Sequence, residues 1–461
     1  MSFGSSIVSR TQVNEQMLSY LKRSYQFYLL ILLYVIVGIY ARPLLFVLMP
    51  FSVLLLKGRE LWADMIFGFI IVLVLSDITP EFFSMQVFKS AKNTYISALS
   101  LIFLLERHRF VPFARIFNIF LPFFLYSFFP LIFSDTIIIG LEKTISYALL
   151  YLVVPNYVLY NFRRYGWDFF RDLIRFMTVI LLAGFLILYY GTFYAYMIGR
   201  FRGLFGNPNG MAIFCFLLIV LTAVLNSIRH DFFTWKEKLL TYGTALYFLI
   251  VSGSRSSLIA VIIFVVFGRF FSASPFLGFL MLIGVFGVSE VVLSNIAPIV
   301  MFFGLEDYVR LKTLETGSGR YFAWSFAWEH IQKFFIFGGG FANDERIMRA
   351  NRHYLERMGH QGGVHNTYLS FWLDLGIVGL FIFLRSFILV FIKASKLVPI
   401  SMGVMFAVLF SITYESWLVS SLNPYTIILV LIMTVVTEEE IASGNDPQPD
   451  YGMLVENSEH V

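Results

Sequence analysis

Apolar runs long enough to cross a lipid bilayer follow one another along almost the whole chain, and few folds can absorb them. Runs such as Phe27-Tyr28-Leu29-Leu30-Ile31-Leu32-Leu33-Tyr34 show no polar/apolar alternation, which argues against the strands of a membrane barrel. In hydrocarbon the backbone must satisfy its own hydrogen bonds, and that leaves the helix. Composition agrees: 58% of the 461 residues are hydrophobic and only 14% are charged, against about 25% in ordinary soluble domains. No soluble interior could hide so much apolar surface. The expected fold is all-α, a polytopic helical integral membrane protein with about 12–14 transmembrane helices and one large outer-face loop.

Candidate spans lie near 25–40, 43–56, 65–79, 93–105, 117–134, 145–161, 174–195, 209–227, 238–252, 256–270, 277–301, 365–385, 397–413 and 417–436. They divide the chain into a cytoplasmic N-terminal segment (1–24), a first set of transmembrane helices (25–301), a large outer loop (302–364), C-terminal transmembrane helices (365–436) and an acidic tail (437–461). The tail is rich in Gly, Asn, Asp and Pro and is expected to be disordered and cytoplasmic. The first 24 residues lack the short apolar core and small-residue cleavage site of a removed signal peptide, so the first span is expected to stay as an anchor. No fixed-period repeat is visible. A single cysteine, Cys215, excludes an intrachain disulfide. The net charge of +5 is too modest for a nucleic-acid partner.

Short basic loops orient the trace. Lys22-Arg23, Lys57-Gly58-Arg59, Arg107-His108-Arg109 with Arg115, Arg163-Arg164, Arg229, and Arg385 with Lys393 all fall on one side, which by the positive-inside bias is the cytoplasm. Arg200, Arg202, Asn207, Asn209, Arg255, the 302–364 loop and His365 then share the opposite face. The loop itself holds Arg310, Lys312, Arg320, Lys333, Arg346, Arg349, Arg352 and Arg357. Long loops translocate largely regardless of their charge. Arginines at a membrane boundary suit a polyanionic lipid head group such as a diphosphate, because guanidinium groups grip phosphate in bidentate forks.

Four short patches carry a family resemblance. They are Arg202-Gly203-Leu204-Phe205-Gly206-Asn207-Pro208-Asn209-Gly210; Ser252-Gly253-Ser254-Arg255-Ser256-Ser257; Ser318-Gly319-Arg320 followed by Trp324; and Gly338-Gly339-Gly340-Phe341 leading to His365-Asn366-Thr367-Tyr368-Leu369 and Gly376-Ile377-Val378-Gly379. In that order and on one face, they resemble the O-antigen ligase/polymerase superfamily of bacterial membrane glycosyltransferases. The resemblance covers residues 200–380, while the first 190 match only as a run of helices. It implies an inner-membrane enzyme that moves a glycan from undecaprenyl diphosphate to an acceptor sugar hydroxyl on the periplasmic or outer face. It also implies an inverting reaction with no metal and no cofactor. Arg255 and Arg320 would hold the leaving diphosphate and His365 would take the acceptor proton. Arg200, Arg202, Asn207, Asn209 and Asn366 would contact substrate. Implied partners are the lipid-linked donor, a glycan or lipid-A-core acceptor, membrane lipids and a chain-length regulator.

Each residue has a plainer reading beside this one. Arg255 could snorkel to head groups, although the small residues around it let helices close over the side chain. Arg320 follows a loop that could cap the helix from Tyr321, which is compatible with a functional role. A histidine suits proton transfer near neutral pH, yet His365 could also be an interfacial histidine bonded to its own backbone. A metal site from His353, His360 and His365 is conceivable, but the spacing fits no common zinc pattern. Gly338-Gly339-Gly340 reads better as a tight turn than as a phosphate cradle, since the Lys-Ser/Thr of a nucleotide loop is missing. Trp324 and Trp328 fit an interfacial belt or a sugar platform, the belt being the simpler reading.

Polymerisation of repeat units is favoured slightly over ligation to a lipid-A core. A transporter or lipid-linked oligosaccharide flippase is the competing class; it should place ionisable residues at the bilayer midplane on several helices, with repeats. A third reading is a scaffold for polysaccharide assembly, which would tolerate alanine at Arg255, Arg320 and His365.

Overall fold

The computed structural model describes residues 24–78, 83–274, 276–278, 280, 281, 284, 320–360 and 362–447. The helices are Ser24–Tyr40 (α1), Leu45–Gly58 (α2), Trp62–Ser76 (α3), Phe88–Leu105 (α4), Ile116–Ser127 (α5), Ile137–Tyr165 (α6), Trp167–Ala183 (α7), Thr192–Ala195 (α8), Pro208–Ile228 (α9), Trp235–Val251 (α10), Arg255–Ala273 (α11), Arg320–Ile331 (α12), Asn343–Ala350 (α13), Arg352–Arg357 (α14), Thr367–Ala394 (α15), Ser401–Tyr414 (α16), Pro424–Thr437 (α17) and Glu439–Ala442 (α18). The described strands are one two-residue antiparallel pair, Tyr196–Met197 (β1) with Arg200–Phe201 (β2). The chain is a polytopic helical membrane protein.

A helix that is apolar on every side belongs inside a bundle, and α17 obeys this: each residue from Pro424 to Val436 is buried. Helices α3, α5, α6, α9 and α15 pack against it. At another seam α11 meets α16 through two glycines; a Cβ added at Gly403 would lie 2.7 Å from Gly268 Cα. Small residues bring backbones this close where lipid offers no hydrophobic drive to association.

Among the described residues, five helical segments are long and apolar enough to cross a membrane: Ile116–Phe133, Ile137–Tyr165, Trp167–Tyr190, Pro208–Ile228 and Thr367–Ala394. Helices α1, α3, α16 and α17 are apolar but shorter. An apolar run in the sequence is not by itself a full crossing. A helix of 14 residues such as α17 rises only about 21 Å, short of a hydrocarbon layer of about 30 Å. The span expected at 277–301 lies almost wholly outside the described residues.

Helix α15 breaks at Gly376 (φ 68°, ψ 179°), and the Gly338-Gly339-Gly340 segment fills the break. Ile377 N donates to Phe335 O at 2.9 Å and Val378 N to Ile336 O at 3.3 Å; in return Gly339 N donates to Leu373 O at 3.0 Å and Gly340 N to Asp374 O at 2.8 Å. Gly338 N donates to Phe334 O at 3.0 Å. With all three amides bonded to carbonyls, the segment is a structural insert and not a phosphate cradle. A Cβ at Gly376 would fall 2.2 Å from Ile336 O, in a left-handed conformation only glycine adopts freely. Gly376→Ala is therefore expected to cost on the order of 3 kcal/mol, visible as a lower yield of monodisperse protein and a lower Tm in detergent.

The beginning of the acidic tail is ordered, contrary to the expectation of disorder. Glu438 Oε1 accepts from Arg115 N at 2.7 Å, Glu439 pairs with Arg115 at 2.6 Å and Glu440 with Arg163 at 2.7 Å. Asp446 pairs with Arg229 at 2.5 Å, and Trp167 Nε1 donates to Asn445 O at 3.0 Å. Composition alone hid this, because the acids find the basic loops that the fold gathers at the same end. Residues 448–461 lie outside the described residues.

Candidate active site

Helices α9 and α15 each start at an asparagine cap. Asn207 Oδ1 accepts from Gly210 N at 2.7 Å with Pro208 in the first turn, and Asn366 Oδ1 accepts from Leu369 N at 3.1 Å. These caps are the ordinary use of asparagine at a helix start. Both helix starts meet one carboxylate, Glu415, which ends α16. Its Oε1 accepts from Arg320 Nη2 at 2.7 Å and from Asn209 Nδ2 at 2.7 Å. Its Oε2 faces His365 Nδ1 at 3.4 Å, and its backbone carbonyl accepts from Thr367 Oγ1 at 2.8 Å.

The turn carrying Glu415 is held firmly. Asn423 Nδ2 donates to Trp417 O at 2.5 Å and Ser420 O at 2.7 Å, Tyr147 Oη to Leu418 O at 2.6 Å, and Lys92 Nζ to Leu422 O at 2.7 Å. The loop on the other side is tied down as well. Asp374 Oδ1 accepts from Asp344 N at 2.8 Å and Oδ2 from Ala342 N at 3.3 Å, so the carboxyl group buried in α15 caps the start of α13.

Arg200 extends the Glu415 network: Nη2 donates to Asn209 Oδ1 at 2.5 Å and Nε to Ser252 O at 2.6 Å. Three residues beyond Ser252, Arg255 opens α11 behind its N-cap Ser254. The structure thus joins Arg200, Asn209, Arg320 and His365 through Glu415, and ties the Arg255 turn to them through Arg200. Arg202 behaves otherwise. Its guanidinium is buried and donates to the carbonyls of Phe193, Tyr194 and Gly206 at 3.2, 3.0 and 3.4 Å, bonds that fold the loop. Asn207 and Asn366 likewise use their side-chain oxygens on helix caps.

Glu415 was missed in the sequence. Its signal was a lone carboxylate in the short gap between two apolar runs; ionisable residues at such places need a partner. Arg320 also lies over the Tyr414 ring, 5.9 Å from its centroid. Trp324 packs beside Tyr321 and Tyr414, and Trp328 against Trp372. The three-histidine metal set is not assembled: His353 is exposed beside Glu356 at 3.9 Å, while His360 is buried and its Nε2 donates to Gly363 O at 2.9 Å. Among the described residues no group of three or more His, Cys, Asp or Glu could hold an ion.

Electrostatics divide the roles of the two remaining histidines. Burial holds His360 below the usual histidine value, helped by the neighbouring His365 and Arg320. The unfolded chain therefore takes up this proton first as pH falls. The contribution to stability is complete above about pH 6.5 and declines as the pH drops below that towards the folded value. Wild type is expected to lose Tm on acidification through this window faster than His360→Gln. His365 sits at φ 51°, an uncommon left-handed conformation for a non-glycine residue and one that often marks functional sites. A carboxylate can only accept, so Nδ1 is the donor toward Glu415, and Nε2 is turned toward Gly362, where a built Cβ would lie 2.8 Å from it.

No curated protein matches the chain. Residues 240–384 match the family model described as O-antigen ligase, a segment that contains Arg255, Arg320 and His365 but leaves Asn209 and Glu415 outside. Over that segment, set within a helical membrane fold, the chain is similar to the O-antigen ligase family.

Proposed function

We propose that the protein transfers a glycan from undecaprenyl diphosphate to an acceptor sugar hydroxyl at the outer face of the inner membrane. The observation that carries this reading is the convergence of Arg320, His365 and Asn209 on Glu415. Through Oε2 the carboxylate orients a base, and through Oε1 it holds an arginine from the outer loop. Arg320 offers five N–H donors, and its described contact with Glu415 engages Nη2. The remainder of the fork suits a phosphate oxygen.

In the proposed reaction His365 Nε2 accepts the acceptor hydroxyl proton as that oxygen forms a bond to the anomeric carbon. The bond from that carbon to the diphosphate oxygen breaks, and its electron pair leaves with the diphosphate. Arg320 and Arg255 stabilise this negative charge, which fixed donors do effectively in a site shielded from water. Attack opposite the leaving group inverts the anomeric carbon. In this scheme neither a metal nor a cofactor is required, because the arginines neutralise the departing charge.

Polymerisation and ligation share this chemistry and differ in acceptor; the reading leans to polymerisation. Purified protein in lipid, given a polyprenyl-diphosphate oligosaccharide with or without lipid-A core, separates the outcomes by mass spectrometry. Longer lipid-linked glycans identify a polymerase and glycan on the core a ligase. Intact donor moving across the bilayer without new glycosidic bonds would replace this reading with a flippase.

A further inference from the structure

The chain that leads into the candidate site from α7 leaves an apolar surface uncovered. The spanning segment runs to Tyr190, and α8 and the β1–β2 hairpin follow it. No charged residue occurs from Phe176 to Gly199. Leu186 is nevertheless 61% exposed, Tyr189 91%, Phe193 68% and Ile198 84%. A patch of this kind marks a contact with membrane or with another protein.

The hairpin tip narrows the choice. Met197 pairs with Arg200, which leaves Ile198 (φ 50°) and Gly199 (φ 70°) as the two turn residues. Positive φ at both central positions favours Asn-Gly, and a β-branched residue there is an outlier. An isoleucine thus stands at the tip of the loop, highly exposed, against the preference of its own backbone. Surroundings that favour an apolar side chain would compensate. The bilayer supplies them, because the patch continues the spanning segment directly along the chain. Tyr189, Tyr190 and Tyr196 are also of the residue type that gathers at a membrane interface.

Arg202 shows how a non-helical segment can lie there. Close to hydrocarbon, backbone groups must find partners within the protein. The buried Arg202 guanidinium donates to the Phe193 and Tyr194 carbonyls at 3.2 and 3.0 Å, and Arg202 N donates to Ala195 O at 2.9 Å. The carbonyls along α8 are thereby satisfied from inside the fold.

We propose that residues 189–199 rest on lipid, at the boundary between head groups and acyl chains, with Ile198 turned into the acyl region. The leaflet is the one on the side of the Glu415 site. From the same hairpin Arg200 reaches Asn209 Oδ1 and Ser252 O, so the hairpin fixes the height of that site over the leaflet, whatever reaction the site performs.

The chain's single cysteine, Cys215, is buried, so Ile198→Cys and Tyr189→Cys each introduce one accessible thiol for an environment-sensitive fluorophore. Arg352→Cys, on the exposed and charged α14, is the water-facing reference. Each full-length protein would be placed in phospholipid vesicles and quenched with iodide in the water or with a lipid carrying a nitroxide near its head group. Labels at 198 and 189 are expected to emit to the blue of the label at 352, to lose most of their emission to the nitroxide lipid and little to iodide. Iodide quenching as strong as at 352 would put the hairpin in water and overturn the proposal. Blue emission that ignores the nitroxide lipid and disappears as the protein is diluted into more lipid would assign the patch to a second copy of the chain, and would overturn it as well.

Discussion

Replacing His365 with asparagine is expected to lower glycan transfer by about 10²–10⁴-fold, the usual contribution of a positioned general base. Asparagine is the informative substitution because it tolerates the left-handed backbone that His365 adopts (φ 51°) better than alanine does. Folding should therefore be nearly unchanged while the proton acceptor is gone. The loss should appear in kcat, with donor affinity preserved, because the diphosphate is assigned to Arg320 and Arg255. A variant with raised KM and wild-type kcat would make His365 a binding residue.

Glu415→Gln should be nearly as damaging, although it changes no more than an oxygen to an amide. In wild type both carboxylate oxygens accept: Oε1 from Arg320 and Asn209, and Oε2 opposite His365 Nδ1. A glutamine has one oxygen for these two sides. With its NH₂ toward His365, the ring must give up the Nδ1 proton and carry it on Nε2, where the base should be. With its NH₂ toward Arg320 and Asn209, donors face donors. The comparable change of the triad aspartate to asparagine in a serine protease drops kcat by about 10⁴-fold through the wrong tautomer, and a loss of about 10²–10⁴-fold is expected here. Glu415→Asp keeps the charge and both acceptors and should retain more activity than Glu415→Gln. The reverse order would mean that Glu415 acts by size and not by charge and acceptor geometry.

The membrane class and most helix positions were legible because apolar runs and basic loops are local signals. The length of a crossing was less so: an apolar run such as that of α17 looks like a span whether it meets lipid or, as here, lies inside the bundle. Arg320 and His365 could be picked out because they stand in short glycine- and serine-rich patches with a family pattern. Glu415 could not, since its partners are 50 residues away (His365), 95 (Arg320) and 206 (Asn209) along the chain, and only the pairing of helix ends brings them together. Asp374 was hidden for a similar reason. A carboxylate inside an apolar span announces a buried partner without naming it, and the partner is the start of α13. For Arg202 the sequence places an arginine near the site, and the structure adds the direction of its guanidinium, which turns to the carbonyls of its own loop.

The most direct test of the Glu415-centred site counts two products in the same bilayers, free polyprenyl diphosphate and new glycosidic bonds. Wild type should release one diphosphate for each bond formed. Glu415→Gln, folded as judged by an unchanged Tm, should lose both together. Wild-type turnover in that variant, or donor that crosses the bilayer intact without any bond formed, would contradict the account.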